Sequence, residues 1–216
     1  MRNLSPLLFL PLVLVSCFER LPENHANEFM HKSSFEELVK RFNDPKRAEW
    51  QKVDEVIAFM KVQEEDVIAD IGAGTGYFTF PIAEHCERVI AIDIDTGFVN
   101  YLNQQKAKHR VGNVEIRLSE EEEPELDERE CDKIIIVNTV HHFQKVAKYL
   151  SKARKCLRIG GSLVIVDWKA GDLPHGPPDE YKLPLNELKR QLGMAGFRSL
   201  DVDTTTLPYQ YMVRAY

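Results

Sequence analysis

Val67-Ile68-Ala69-Asp70-Ile71 runs directly into Gly72-Ala73-Gly74-Thr75-Gly76, and no other stretch constrains the fold as much. The run is apolar without polar alternation, as expected of a strand covered on both faces in a parallel sheet. A glycine-rich turn after such a strand lets the backbone reverse sharply and approach a ligand where a Cβ would otherwise stand. In a doubly wound sheet this turn lies at the carboxyl end of the first strand, where such folds bind their ligands.

The flanking segments extend the pattern. Phe35, Leu38, Val39 and Phe42 recur at helical spacing, and Asn43-Asp44-Pro45 interrupts them. A second helix is expected from Arg47, with Trp50, Val53, Val56, Ile57 and Met60 on one face. Further helices are expected over 77–86, where Pro81 must sit in the first turns, over 96–108, and over 144–157 with Gly160 as its C-cap. Between them, 88–93, 114–118, 133–137 and 162–167 read as strands, and 120–125 as an acidic loop. Alternating strands and helices predict a mostly parallel α/β sheet with right-handed crossovers. The tail differs: a helix over 185–195 stopped by Gly196, then two strands around Leu207-Pro208, an antiparallel pair. At 216 residues the chain is expected to hold a single domain, with no internal repeat.

Composition removes some functions. A net charge of −6, with no Lys/Arg run, argues against a nucleic-acid surface, which needs a basic face for phosphates. None of Cys17, Cys86, Cys131 and Cys156 pairs in a C-x-x-C spacing, which excludes a zinc ribbon, and no metal is expected. Cys86, Cys131 and Cys156 read as small buried hydrophobes.

The glycine spacing narrows the ligand. A dinucleotide fingerprint needs a third glycine three residues after the second, and that position is Tyr77. Here the third glycine, Gly76, comes two residues on, and Asp70 precedes Gly72 by two. Asp93 ends the second strand, where an acid can accept from ribose hydroxyls. The D-x-G-x-G-x-G run resembles motif I of the class I S-adenosylmethionine-dependent methyltransferases. The Arg41-Phe42-Asn43-Asp44-Pro45 run, Trp50-Gln51, Val137 to Phe143, Leu157 to Gly161 and Asp167-Trp168-Lys169 resemble one branch, loosely related to the ubiquinone and menaquinone biosynthesis enzymes. That likeness spans about Arg41 to Tyr216 and implies a Rossmann-like sheet binding S-adenosyl-L-methionine. It further implies that Asp70 holds the methionine amine and that Gly72, Gly74 and Gly76 belong to the cofactor loop. Asp93 would take the ribose, Ile94 would pack on the adenine, and Glu120 would reach its amino group. Many relatives carry Gly-Asp where this chain has Ser119-Glu120, so Glu120 is also read as part of a solvated acidic loop.

Methyl transfer depends mainly on holding the two reacting groups together in a dry cavity, and a base is needed only when the acceptor atom carries a proton. His141 and His142, just past the fourth strand, are the candidate bases, and Tyr77 and Trp168 border the same edge. The expected acceptor is a small or lipid-like molecule. The alternative is a catalytically silent nucleotide-binding lipoprotein that keeps the fold.

The first residues suggest where the protein works. Met1-Arg2-Asn3 precedes an apolar stretch that is interrupted by Pro6 and Pro11 and ends in Leu14-Val15-Ser16-Cys17. A spanning helix needs about 20 apolar residues, so a secretory signal fits better. The ending resembles a bacterial lipobox, which implies a lipidated Cys17, peripheral membrane attachment and a cell-envelope location. The expected organisation is a lipoprotein-type signal over 1–17, a tether over 18–33 and the methyltransferase domain over 34–216. If the signal is unused, the protein would be cytoplasmic, where S-adenosylmethionine is made.

Overall fold

The computed structural model describes residues 33–216; Cys17, the signal and all of the tether but Ser33 lie outside the described residues. Among the described residues no helix is long and apolar enough to cross a membrane. Strands β1 (Val67–Ile71), β2 (Arg88–Asp93), β3 (Val114–Leu118), β4 (Cys131–Val137), β5 (Leu157–Trp168), β6 (Leu200–Asp203) and β7 (Gln210–Ala215) form one sheet in the order β3-β2-β1-β4-β5-β7-β6. β1 to β5 pair in parallel, and β7 runs antiparallel between β5 and β6. This is the predicted Rossmann-like doubly wound sheet with its antiparallel ending.

All five residues of β1 are buried because helices cover both faces of the sheet. On one face lie α3 (Val53–Met60), α4 (Thr79–Ala83) and α5 (Thr96–His109), which contribute Val56, Met60, Ile82 and Leu102. The other carries α6 (Val146–Cys156) and α7 (Leu185–Met194), which contribute Tyr149, Leu150, Ala153, Leu188 and Leu192. Strand order reverses between β1 and β4, and the crevice outside their carboxyl ends is where such sheets take ligands. Over that crevice lie α1 (Phe35–Phe42) and α2 (Arg47–Gln51). Helix α1 starts at a capping box: Glu37 N donates to Ser34 Oγ at 3.2 Å, and Ser34 N to Glu37 Oε2 at 2.9 Å.

Three local expectations are corrected. The helix expected from Arg47 through Met60 is two helices, because Lys52 takes a left-handed conformation (φ 43°) and its ammonium is bonded to Thr206 O at 3.0 Å. The break leaves Trp50 at the crevice. The helix expected over 77–86 keeps only five residues, with Pro81 in its first turn, where its missing N–H breaks no intrahelical bond. Gly160 caps no helix: α6 ends at Cys156, and Gly160 lies within β5. There Cys131 pairs with Leu157 and Lys133 with Ser162, so the residues between form a bulge.

Candidate active site

The crevice is a cavity of about 1030 Å³. Asp70, Gly72, Gly74, Asp93, Ile94, Glu120, His141 and His142 all line it. The structure thus brings together every sequence-predicted site residue except Gly76. Gly76 (φ 81°) packs away from the cavity, where a Cβ would come within 2.8 Å of Phe80 Cδ2 and 2.9 Å of Leu102 Cδ2. Its missing Cβ serves packing between the loop and α5.

Backbone shapes one end. Gly72 N and Ala73 N both donate to Ile92 O, at 2.8 and 3.0 Å, tying the loop to β2. At Gly72 (φ 76°) a Cβ would stand 2.6 Å from Thr139 Cγ2, so this turn and the chain after β4 come as close as glycine allows. Asp93 is buried at the end of β2 and accepts from Gly74 N at 2.8 Å and Asp95 N at 3.0 Å. Burial pushes its carboxyl upward, and those bonds oppose the rise. A carboxylate can accept about four hydrogen bonds, so Asp93 keeps capacity for hydroxyl donors.

Asp70, also buried, accepts from the Thr79 hydroxyl at 2.6 Å. Burial pushes it up to about 6; Asp93 adds to the rise, while Thr79 and Arg47 oppose it. A cation placed against Asp70 would restore its charge. Ile94 is 51% exposed beside these acids, an apolar surface facing the cavity. Thr75 Oγ1 is buried with no partner among the described residues. A ligand with a cationic end, hydroxyls and a flat apolar ring system fits these groups, and S-adenosylmethionine has all three. Glu120 is exposed at the rim, next to Ser119, whose N–H donates to Asp93 O at 3.0 Å.

Side chains shape the other end. The two adjacent histidines differ in kind. His141 is buried, and its Nδ1 lies 2.9 and 3.0 Å from the two oxygens of Asp167. A charged Asp167 places the proton on Nδ1 and leaves Nε2 as the proton-accepting nitrogen. Asp167 itself accepts from Trp168 N at 2.7 Å. The His142 ring lies 4.3 Å from that of His141, and its buried Nδ1 has no partner among the described residues. Burial, reinforced by His141, pulls His142 down to about 3, so it is neutral near pH 7. Trp50 stacks on His175 (5.2 Å, 17°) and tilts against Trp168 (5.3 Å).

Several lining residues escaped the sequence reading. Trp50 shares a helix face with Val53, Val56, Ile57 and Met60 in the sequence, and His175 sits in a segment without periodicity. Arg47 enters the sequence analysis only as the start of the second helix, yet its guanidinium is largely buried, 4.0 Å over the Tyr77 ring. Only Asn138 carried a local hint, since asparagine tolerates the left-handed conformation it adopts here (φ 54°), where it accepts from Gln210 Nε2.

Comparison with known proteins agrees with this geometry. Residues 69–165 match the profile of the methyltransferase domain family. A solved SAM-dependent methyltransferase from Aquifex aeolicus is 27% identical, with TM-score 0.79, over 85% of this chain and 98% of that one. The tRNA (guanine(37)-N(1))-methyltransferase Trm5b of Pyrococcus abyssi is 31% identical over 138 residues, 63% of this chain and 38% of its own length. The probable cobalt-precorrin-6B C(15)-methyltransferase (decarboxylating) of Methanocaldococcus jannaschii is 32% identical over 98 residues, 45% of this chain. This chain spans 52% of that relative's length. The [4+2]-cyclase SpnF has the same fold at 15% identity and TM-score 0.64. Residues 69–165 therefore match a methyltransferase domain, and they lie on a Rossmann-like sheet shared with a solved SAM-dependent methyltransferase.

Proposed function

We propose that this protein transfers a methyl group from S-adenosylmethionine to a small or lipid-like acceptor, working at a membrane surface through a lipidated Cys17. The observation that carries the reading is one cavity with an acid-and-glycine end and an aromatic, histidine-bearing end. When bound, S-adenosylmethionine supplies a methyl group activated by its sulfonium. Asp70 holds the amine, Gly72 and Gly74 admit the backbone close to the ligand, Asp93 takes the ribose, Ile94 lies on the adenine, and Glu120 reaches its amino group. His141 accepts the proton of the acceptor at Nε2, while Asp167 fixes its tautomer and steadies the imidazolium. His142 packs beside it as a neutral ring.

Some relatives are named as RNA methyltransferases. Against an RNA acceptor stand the net charge of −6 and the Glu120, Glu121 and Glu122 side chains at the cavity, which repel phosphates. Trp50, Trp168 and His175 offer instead an aromatic wall suited to an apolar molecule. The test is to incubate the protein with methyl-labelled S-adenosylmethionine and two bacterial fractions, a solvent extract of lipids and total RNA. Label in the extract supports the reading, and label confined to RNA contradicts it. For the anchor, Cys17→Ala should abolish incorporation of labelled fatty acid in a bacterial host; persistent labelling contradicts lipidation.

A further inference from the structure

The aromatic end is roofed from two sides that are held in different ways. On one side α2 is fixed by polar bonds: Arg47 Nη1 donates to the Phe42 carbonyl at 2.7 Å, and the Lys52 ammonium, just after the helix, donates to Thr206 O at 3.0 Å. On the other, residues 171–182 form a strap between β5 and α7 that brings His175, Gly176 and Pro177 to the cavity. Lys169 N donates to Tyr209 O at 3.0 Å and pins the chain entering the strap to β7. The Tyr211 hydroxyl donates to Leu183 O at 2.8 Å and pins the chain leaving it. The strap is joined at its base, where Gly171 N donates to Asp179 Oδ1 at 2.6 Å and the buried Lys182 ammonium donates to Gly171 O. Joined ends and internal bonds make it a compact loop of the Ω kind.

Beyond that base, rings hold the strap down. Among the described residues no hydrogen bond joins 172–178 to any residue outside the strap. Pro174, Pro177 and Pro178 have no N–H to offer, and most of the segment is exposed. The His175 ring meets those of Trp50 (5.2 Å, 17°) and Tyr209 (5.4 Å, 58°). Gly176 lies on the Trp168 indole: its φ is 100°, and a Cβ there would stand 2.7 Å from Trp168 Cδ2. Trp168 is thereby covered, 5% exposed, and its N–H donates to Asp167, the partner of His141. Segments with exposed backbone and few bonds to the body open at the lowest cost. By that measure the strap, not α2, is the part of the roof that moves.

We propose that residues 171–182 are the gate of the acceptor end: the strap lifts from its base to admit the acceptor, then closes as His175 stacks on Trp50 and Gly176 settles on Trp168. This rests on the acceptor site proposed above and adds its route of entry. The structure shows the closed state, with Trp50 and His175 meeting across the roof. Closure keeps water from the His141–Asp167 pair, where proton transfer calls for a dry site. Ring contacts suit such a latch because they are broad and individually weak, so it can release at every turnover. His175 acts here by position and touches no reacting atom, and Trp50, on the fixed side, is its stop.

Trp50 and Trp168 are the two tryptophans of the chain, so Trp50→Phe keeps a ring at the latch and leaves Trp168 as the sole fluorescent reporter beside Asp167. Acrylamide quenching of the full chain is measured in this background, alone and with each of three further changes. His175→Ala removes the latch, Gly176→Ala wedges the strap off the indole, and His175→Phe restores a ring. The background should quench slowly, as a covered indole does. Both alanine variants should quench about 2- to 10-fold faster, the rise in open population expected from one lost ring pair. His175→Phe should return to within about twofold of the background, with the unfolding midpoint unmoved in all four proteins. Equal quenching in all four overturns the proposal. So does a rise that comes with a lowered midpoint, or one that His175→Phe shares with His175→Ala. These readouts use neither cofactor nor acceptor, so a failed gate and a failed labelling test are told apart.

Discussion

At the glycine-loop end of the cavity, the ligand-facing groups come mostly from one stretch between β1 and α5. At the aromatic end, Trp50, His141, Trp168 and His175 come from four separated segments. The first end is backbone: Gly72 and Ala73 donate to Ile92, and Gly74 and Asp95 to Asp93, leaving side chains little freedom to vary. The second is rings resting on rings, where exchanging one side chain changes pocket shape without touching the sheet. Geometry held by main-chain bonds suits a common ligand, and geometry held by side chains suits an acceptor that differs between proteins. The [4+2]-cyclase SpnF, with the same fold, illustrates how far chemistry can diverge on this scaffold.

The contrast can be attacked by substitution, beginning with the largest expected effect. Gly76→Ala adds a Cβ at a left-handed φ and against Phe80 and Leu102. It should cost about 2–4 kcal/mol in urea unfolding. Because a Cβ there meets packing side chains, affinity for S-adenosylhomocysteine should hold wherever the variant is folded; a selective loss of affinity would make Gly76 a ligand contact. Asp93→Ala removes the proposed ribose contacts and strands the N–H groups of Gly74 and Asp95. Calorimetry should show affinity lower by about 100-fold, at about 1.5–3 kcal/mol for each charge-assisted bond; unchanged affinity would remove Asp93 from the ligand.

His142 gives a pH signature of the aromatic end. Its folded pKa of about 3 lies below the 6.5 of an ordinary histidine, so between these values the unfolded chain holds more protons. Stability is therefore lost as pH falls from about 6.5 toward 3, by at most about 1.4 kcal/mol per unit. Asp70, raised from 3.8 to about 6, acts in the opposite sense, gaining stability as pH falls through that window. In urea melts at pH 7 and pH 4.5, His142→Phe should lose less stability on acidification than the wild type. An identical loss in both would show that His142 is not held neutral by burial. The smallest effect is expected at Ile94→Ser: about fivefold weaker S-adenosylhomocysteine binding with the unfolding midpoint unmoved, since the side chain is half exposed. A clear drop in the midpoint would make Ile94 a packing residue instead.

The same contrast explains what could be read in the sequence. The fold and the cofactor end were legible because they are local: the apolar run at Val67 to Ile71, the glycine spacing, and an acid closing the next strand. The packing of Gly76 against Phe80 and Leu102 was not legible, because spacing tells where a glycine is, not which way its missing Cβ would point. The break at Lys52 rests on a bond to Thr206, a contact that no helical periodicity encodes. The histidines could be found as a pair, but Asp167, which makes them unequal, lies 26 residues away and pairs only in the folded sheet. Arg47 carried no signal, since burial of a polar helix position is decided by what packs over it.

The central claim is that the cavity takes an adenosyl ligand without a pyrophosphate. Calorimetric titration with S-adenosylmethionine, S-adenosylhomocysteine and NADH tests it most directly. Micromolar binding of the first two with none of NADH is the predicted result. Binding of NADH alone, or of none of the three, would contradict it and leave the glycine loop as evidence of fold only.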